Sequence, residues 1–152
     1  MRVNLKVILL AGLAYWLVQF AIGMLVGGFV HNNLLAELYD QTASFWRPAL
    51  NEDPPDMAAM MPIWIPVGII VALVTAFIYD NVRAALGSPP WVNGLKFGVL
   101  AFLFGAIFSA ANWTVFNLPG EIWLWWNVEH LVMYLVAGAV LGIVTAKLAP
   151  EG

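Results

Sequence analysis

Residues 122–146, IWLWWNVEHLVMYLVAGAVLGIVTA, are apolar except for Asn127, Glu129, His130 and Thr145. An α-helix rises about 1.5 Å per residue, so about 20 apolar residues cross the roughly 30 Å of hydrocarbon in a membrane. The stretch is long enough for that crossing, and it therefore predicts a transmembrane helix.

Three further apolar stretches of similar length precede it, at residues 7–30, 61–79 and 97–116. The chain of 152 residues is 62% hydrophobic and only 10% charged, whereas soluble domains carry about 25% charged residues. This composition excludes a water-soluble globule, and the continuous runs differ from the alternating strands of a membrane barrel. We predict one all-α domain over residues 1–152, a polytopic four-helix transmembrane bundle.

The connections between the spans differ in length. The turn Asn117-Leu-Pro-Gly-Glu121 between the third and fourth spans is short, which makes these two helices antiparallel neighbours in a hairpin. The loop of residues 31–60 is longer, and apolar residues recur at helical spacing in its first half. We therefore expect that loop to be partly helical.

Small residues recur at four-residue intervals in the spans, as at Gly23 and Gly27 and again at Gly138 and Gly142. Lipid tails give helices no hydrophobic reason to associate, so close packing has to come from small residues that let backbones approach. These glycines predict tightly packed helices.

Lysine and arginine accumulate in the cytoplasmic loops of membrane proteins. One predicted side contains Arg2, Lys6, Arg83, Lys96 and Lys147, and the other contains only Arg47. We therefore expect both termini to be cytoplasmic. Most of the tryptophans lie near the opposite, outer boundary, as in an aromatic belt.

Polar side chains occur at similar predicted depths in the last two spans. Glu129 and His130 lie about 10 Å below the outer boundary, and Asn112 lies at a comparable depth in the third span. We expect the hairpin to bring these three side chains together. The predicted ligand-binding residues are Asn112, Asn127, Glu129, His130 and Tyr134, with Trp113 and Trp126 as walls.

Three interpretations of this cluster remain open. Hydrogen bonds of Glu129 with His130 or an asparagine would only fasten the helices, at about 1 kcal/mol each. Alternatively, the cluster binds a small ligand, an ion or a proton, because ionisable groups in the membrane usually have a function. In the third interpretation His31 and His130 hold a metal or haem, with Glu129 or Asp40 beside them. The two histidines have no ligand-motif spacing, so no cofactor is predicted.

Enzymatic motifs do not occur in the sequence. The chain has no cysteine, which excludes thiol nucleophiles and thiolate metal sites. It contains no glycine-rich phosphate loop, no Gly-x-Ser-x-Gly elbow, no His-Glu-x-x-His helix and no basic stripe for nucleic acid. We lean towards a protein without enzymatic activity or a nucleic-acid partner, whose partners are the lipid bilayer and either further copies of itself or a larger membrane protein.

The pattern Asn127-x2-His130 followed by Gly138-Ala-Val-Leu-Gly142 resembles the last helix of a family of small bacterial four-span membrane proteins of unknown function. The third span and its turn are similar to that family as well, so the resemblance covers residues 91–146. In that family the asparagine stands about four residues before the histidine, and Glu129 has no counterpart between them. The resemblance implies a multi-pass protein of the bacterial cytoplasmic (inner) membrane and implies no activity.

Three functions follow as hypotheses. The first is a non-enzymatic membrane protein with a polar pocket in the outer leaflet that binds a small ligand, ion or proton. The alternative is an accessory or assembly subunit whose glycine faces and tryptophans dock on a larger membrane complex. The third is a haem- or metal-binding redox protein.

Overall fold

The computed structural model describes residues 3–149. Every regular element in this part of the chain is helical. The α-helices are α1 (Leu5–Ile22), α2 (Ala36–Gln41), α3 (Met57–Val82), α4 (Pro90–Trp113) and α5 (Gly120–Leu148). Two π-helical stretches, Gly23–Gly27 and Val30–Leu34, continue α1. The predicted all-α fold is confirmed.

Four helical stretches are long and apolar enough to cross a membrane: Leu5–Leu34, Met57–Leu86, Pro90–Trp113 and Gly120–Leu148. Their mean hydropathy lies between 1.8 and 2.3. A helix of 24 residues, the shortest of the four, is about 36 Å long, which exceeds the roughly 30 Å hydrocarbon thickness. The chain therefore has the helices of a multi-pass membrane protein.

Three of the four helical stretches extend beyond the predicted spans at both ends. The helix of the second span, α3, continues past Tyr79 to Val82. The helix of the third span, α4, begins at Pro90 rather than at Phe97 and ends at Trp113 rather than at Phe116. Proline suits the first turn of a helix, where its missing N–H is not needed. Hydropathy finds only the part of a helix inside the lipid, whereas backbone hydrogen bonding continues into the charged turns.

The helices are arranged in antiparallel neighbours, with α1 between α3 and α5, and α5 between α1 and α4. We call the end that carries residues 35–56 and 114–119 the loop end, and the opposite end the terminal end. At the terminal end the rings of Tyr79 and Phe97 bring α3 and α4 into contact, with centroids 5.2 Å apart.

Small residues pack the terminal-end half. A Cβ atom at Gly94 would collide with the carbonyl oxygen of Gly138, and one at Gly142 would collide with that of Pro90. At Gly138 an added Cβ would lie 2.5 Å from the carbonyl oxygen of Gly94. The backbones of α4 and α5 therefore touch here, because these positions have no side chain.

A second cluster holds the loop end together. Val30, Leu35 and Ile122 are buried, with exposures of 3% or less. Partly buried side chains that include residues of α2 and α5 pack around them. This cluster packs the segment of residues 35–46 against the helices. It contains α2, as the predicted partly helical loop requires.

The basic residues that predict the orientation differ in their exposure. Arg83 is buried, its Nε lies 3.1 Å from Oδ1 of Asp80, and its Nη2 donates a 2.7 Å hydrogen bond to the carbonyl oxygen of Ala149. Lys96 is exposed, whereas Arg2 lies outside the described residues. The side of the membrane on which the termini lie stays a prediction.

Candidate functional site

Glu129 and His130 are consecutive residues of α5 that face different neighbours. Successive residues of an α-helix are rotated by about 100°. Glu129 is buried at 8% exposure and faces α1, where it meets His31. His130 faces a groove between α4 and α5. The predicted polar cluster is therefore divided into two sites on two sides of α5.

The first site, which we call the carboxylate cluster, consists of Glu129, His31, Tyr39 and Trp126. Nε2 of His31 lies 3.2 Å from Oε2 of Glu129, and the side chains are 39% and 10% exposed, respectively. Gly27 makes room for the carboxyl group, because a Cβ atom there would lie 2.6 Å from Oε1 of Glu129. Glycine at this position lets a carboxyl group approach the backbone of the first helix.

The cluster continues from His31 to α2 and back to α5. Nδ1 of His31 and the hydroxyl oxygen of Tyr39 are 2.6 Å apart, and Nε1 of Trp126 donates to the same oxygen at 2.7 Å. An indole N–H can only donate. The Tyr39 oxygen accepts from Trp126, so its own proton is available for Nδ1 of His31, whose Nε2–H then points at Glu129.

Tyr39 keeps its proton over a wide pH range. Burial raises the pKa of its hydroxyl to about 12, the hydrogen bond from Trp126 opposes this, and the charge of Glu129 adds to it. A neutral phenol is a hydrogen-bond donor. This agrees with the direction assigned to the bond between Tyr39 and His31.

The first helix changes its winding where it meets Glu129. Gly23–Gly27 and Val30–Leu34 are π-helical, with i→i+5 hydrogen bonds. Such turns are rare in proteins, and those that occur are often found at functional sites. A π-turn shifts every following side chain around the helix axis relative to an α-helix. Gly27 and His31 both belong to these stretches, so their approach to Glu129 depends on this winding.

The second site is the groove between the loop-end halves of α4 and α5, with a volume of about 240 Å³. From α4 it is lined by Phe102, Gly105, Ala106, Phe108, Ser109 and Asn112. From α5 it is lined by Trp123, Trp126, Asn127, His130 and Tyr134. Aromatic rings and polar groups thus share one opening.

Asn127 bridges the two helices beside this groove. Its Nδ2 donates to Oγ of Ser109 and to the carbonyl oxygen of Trp123, each at 2.7 Å. A side-chain amide that bonds across two membrane helices contributes about 1 kcal/mol. This contact is the helix-fastening role that was one of the predicted interpretations, made by Asn127 with Ser109 rather than by Glu129.

The other polar side chains in the groove lack such partners. Among residues 3–149, Asn112, His130 and Tyr134 make no hydrogen bond through their side chains, and the buried Nε1 of Trp123 has none either. Of these groups only Nε1 of Trp123 is buried, and an unsatisfied buried polar group costs several kcal/mol, whereas Asn112 and His130 are exposed. The groove therefore contains hydrogen-bonding capacity that the described chain does not use.

The groove includes five of the seven predicted ligand-binding residues: Asn112, Asn127, His130, Tyr134 and Trp126. Glu129 belongs to the carboxylate cluster instead. Trp113 is 59% exposed at the end of α4 and is not part of the groove lining. Asn112 lies in the last turn of α4, so it stands at the mouth of the groove and not at the depth of His130.

Sequence reasoning missed Tyr39, Gly27 and Trp123. Tyr39 lies in the half of the 31–60 loop that is predicted to be helical, and no sequence pattern connects it to a histidine. Glycine facing a buried carboxyl group has no local sequence signal. Trp123 looked like one more member of the aromatic belt, although its indole nitrogen is buried.

The histidines of the metal hypothesis are in different surroundings. His31 is held by Glu129 and Tyr39, while His130 lines the groove. No group of three His, Cys, Asp or Glu side chains that could hold a metal ion occurs in the described part of the chain. Use of His31 as a ligand would require it to leave two existing contacts.

Comparison of the chain with protein-family models, with curated proteins and with solved structures finds no match. The candidate function therefore rests on the geometry of the two sites.

Proposed function

We propose that this chain is a non-enzymatic membrane protein that binds a small amphipathic molecule in the groove between α4 and α5. The observation that supports the proposal is the set of four groove side chains without hydrogen bonds. The indole nitrogen of Trp123 is buried and lacks an acceptor, Tyr134 is half-buried, and Asn112 and His130 are exposed. A bound molecule would supply the missing acceptor.

The unsatisfied groups indicate the chemistry of the ligand. The indole of Trp123 donates only, and the amide of Asn112, the hydroxyl of Tyr134 and a neutral imidazole at His130 can all donate. A ligand with acceptor oxygens on a flat ring suits these donors and the aromatic walls. The groove, at about 240 Å³, is smaller than the roughly 300–1,000 Å³ of drug-sized pockets, so it fits a ring or head group.

The proposal includes a place for the protein. The excess of lysine and arginine at the terminal end supports cytoplasmic termini, and the groove then opens in the outer leaflet. The resemblance of residues 91–146 to small four-span proteins supports the bacterial cytoplasmic membrane. Ligand entry would be lateral, from the lipid.

Binding can be measured by quenching of tryptophan fluorescence with 1,4-naphthoquinone, a flat ring with two carbonyl acceptors, on the full chain in lipid nanodiscs. Saturable quenching is expected, because Trp123 and Trp126 line the groove. His130→Leu should raise the Kd about tenfold, the equivalent of about 1.4 kcal/mol for one lost hydrogen bond.

Asn112→Leu changes an amide at the groove mouth, and Asn117→Leu is its matched control. The control replaces an exposed amide in the turn beyond the groove. Asn117→Leu should bind as the unmodified chain does. Equal, non-saturating quenching in all variants would mean that naphthoquinone only partitions into the lipid, and the groove would not be its binding site.

The accessory-subunit alternative has lost one of its supports. Gly138 and Gly142 pack against α4 of the same chain, so they do not offer a free groove to a partner helix. A partner would have to use the exposed face of α4, where Phe104 and Ile107 are 70% and 66% exposed. Lipid covers such a face equally well, so we keep this function second.

A further inference from the structure

The carboxylate cluster lies across α5 from the groove, shares Trp126 with it and has its own connection to the surface. Glu129 is surrounded by protein at 8% exposure, and within residues 3–149 its ionic or hydrogen-bonding partner is His31. The side chain of His31 is 39% exposed. One imidazole thus connects a buried carboxyl group with the loop-end surface.

We propose that Glu129 is a proton-binding site inside the membrane domain that exchanges its proton with water at the loop end through His31. An ionised carboxylate is costly at this depth unless it is paired, and a neutral acid is not. The cluster provides for both forms, because His31 donates to the carboxylate and can accept from the acid.

The transfer moves a proton along three bonds in one direction. In the starting form Nε2–H of His31 donates to the Glu129 carboxylate, and Nδ1 accepts from the hydroxyl of Tyr39. A hydronium ion gives a proton to the Tyr39 oxygen and leaves as water, the Tyr39 O–H bond breaks as an N–H bond forms at Nδ1, and the N–H bond at Nε2 breaks as an O–H bond forms at Oε2. One proton leaves water and one arrives on Glu129, while His31 remains neutral in its other tautomer.

The groups facing Glu129 are known for each element that packs on it. His31 comes from the end of the first helix and Tyr39 from α2, whereas His130, the next residue of α5, lines the groove on the other side. Tyr39 remains neutral below about pH 12.

Gly27 and Trp126 make the arrangement specific. The missing Cβ of Gly27 allows the carboxyl group to reach His31, and the hydrogen bond from Trp126 orients the Tyr39 hydroxyl. A simple fastening bond between two helices does not need a third group on the far nitrogen of the imidazole. The oriented chain, by contrast, is what a proton route needs.

Infrared difference spectroscopy on the full chain in nanodiscs tests the proposal. Between about pH 4 and about pH 9, a range that covers ordinary carboxyl and imidazole titration, the spectrum should show a C=O band of a protonated carboxyl group that shifts in D₂O. The component of this band that belongs to Glu129 should be absent in E129Q, while the exposed carboxyl groups contribute equally in both chains. E121Q, which changes an exposed carboxyl group, should retain it.

The route is tested by the rate at which the band appears after a rapid pH jump. H31N keeps a donor for Glu129 but cannot pass a proton from one nitrogen to the other, and it should slow the change on the order of 100-fold, within the range for positioned proton-transfer groups. N32A, which changes an exposed side chain next to His31, is the control and should leave the rate unchanged.

Absence of any band that distinguishes the unmodified chain from E129Q would overturn the proton site. Equal rates in H31N and the unmodified chain would overturn the route through His31. Should E129Q fold poorly, E129D keeps a carboxyl group but moves it relative to His31, and an identical band in E129D and the unmodified chain would overturn the site. Naphthoquinone binding by E129Q reports separately on the groove, so the two proposals can fail independently.

Discussion

The two halves of the contact between α4 and α5 are built differently. At the terminal end, glycines at 94, 138 and 142 bring the backbones into direct contact. At the loop end the same helices carry Phe102, Trp123 and other large side chains, and a groove of about 240 Å³ lies between them. Tyr134 marks the transition, because its backbone touches Gly98 while its ring lines the groove.

This difference shows how side-chain size along one helix pair can create a site. Where side chains are absent, the helices close and polar groups have no space. Where side chains are large, the backbones separate and leave a space that aromatic rings fill incompletely. The closed half holds the helices in place, and the open half has room for polar side chains.

The largest expected effect comes from breaking the closed half. Gly138→Leu places a side chain where the Gly94 carbonyl oxygen lies 2.5 Å from a Cβ atom, and backbone cannot move aside cheaply. We expect a loss of more than about 4 kcal/mol, enough to prevent folding. The yield of monodisperse protein in detergent measures it. Gly28→Leu, where nothing lies within 4 Å, should be produced normally, and equal loss in both would contradict the backbone contact.

A smaller effect is expected at the carboxylate cluster, between neighbouring glycines. Gly27→Ala puts a methyl group 2.6 Å from Oε1 of Glu129, which must move away from His31. We expect a destabilisation of about 1–3 kcal/mol, as for other overpacked sites. Thermal unfolding in detergent gives the value, with Gly28→Ala as the control.

The double variant Gly27→Ala with Glu129→Ala sharpens this measurement. Removal of the carboxyl group should make Gly27→Ala nearly neutral, since the collision is gone, and the coupling energy should be at least about 0.5 kcal/mol. Additive effects would mean that Gly27 does not act through Glu129.

Two asparagines in the open half differ in their bonding, and leucine at each position compares them. Asn127→Leu breaks the bond to Ser109 and should cost about 1 kcal/mol. Asn112→Leu removes an amide without a hydrogen bond at the groove mouth and should change the stability by less than about 0.5 kcal/mol. Thermal unfolding of both variants checks the contrast, and a larger loss for Asn112→Leu would show that Asn112 has a structural partner.

The smallest effect is expected at high pH and concerns only the segment of residues 35–56. Because the folded state raises the pKa of Tyr39 from 10.0 to about 12, the neutral form is favoured in the fold. Its stabilising contribution is complete below about pH 10 and is lost as the pH rises to about 12. Tryptophan emission should change in this window and should not in Tyr39→Phe, whereas a step that persists in that variant would come from another group.

Hydropathy predicted the four spans because membrane lipid imposes a length and a composition on any helix that crosses it. The helix ends were harder, since Asp80 and Lys96 lie in turns that continue into the charged boundary. The short turn at residues 117–121 fixed the register of the last hairpin, which is why Asn112 and His130 line one groove.

The direction of Glu129 could not be predicted in the same way. That two consecutive helical residues face different neighbours follows from geometry, but the identity of each neighbour depends on which helix lies where. His31 reaches Glu129 through π-helical turns, which interrupt the periodicity on which sequence patterns depend. Tyr39 lies in a separate short helix, so its contact arises only from the tertiary fold.

Trp126 belongs to both sites, with its ring on the groove and its indole N–H on Tyr39. A molecule that rotates this ring must also release the Tyr39 hydroxyl, and loss of that bond must free the ring. Occupancy on one side of α5 and hydrogen bonding on the other are then thermodynamically linked, and linkage acts equally in both directions. The Trp126 indole contacts both sites, so its fluorescence should change when the groove is occupied and when its hydrogen bond to Tyr39 is lost.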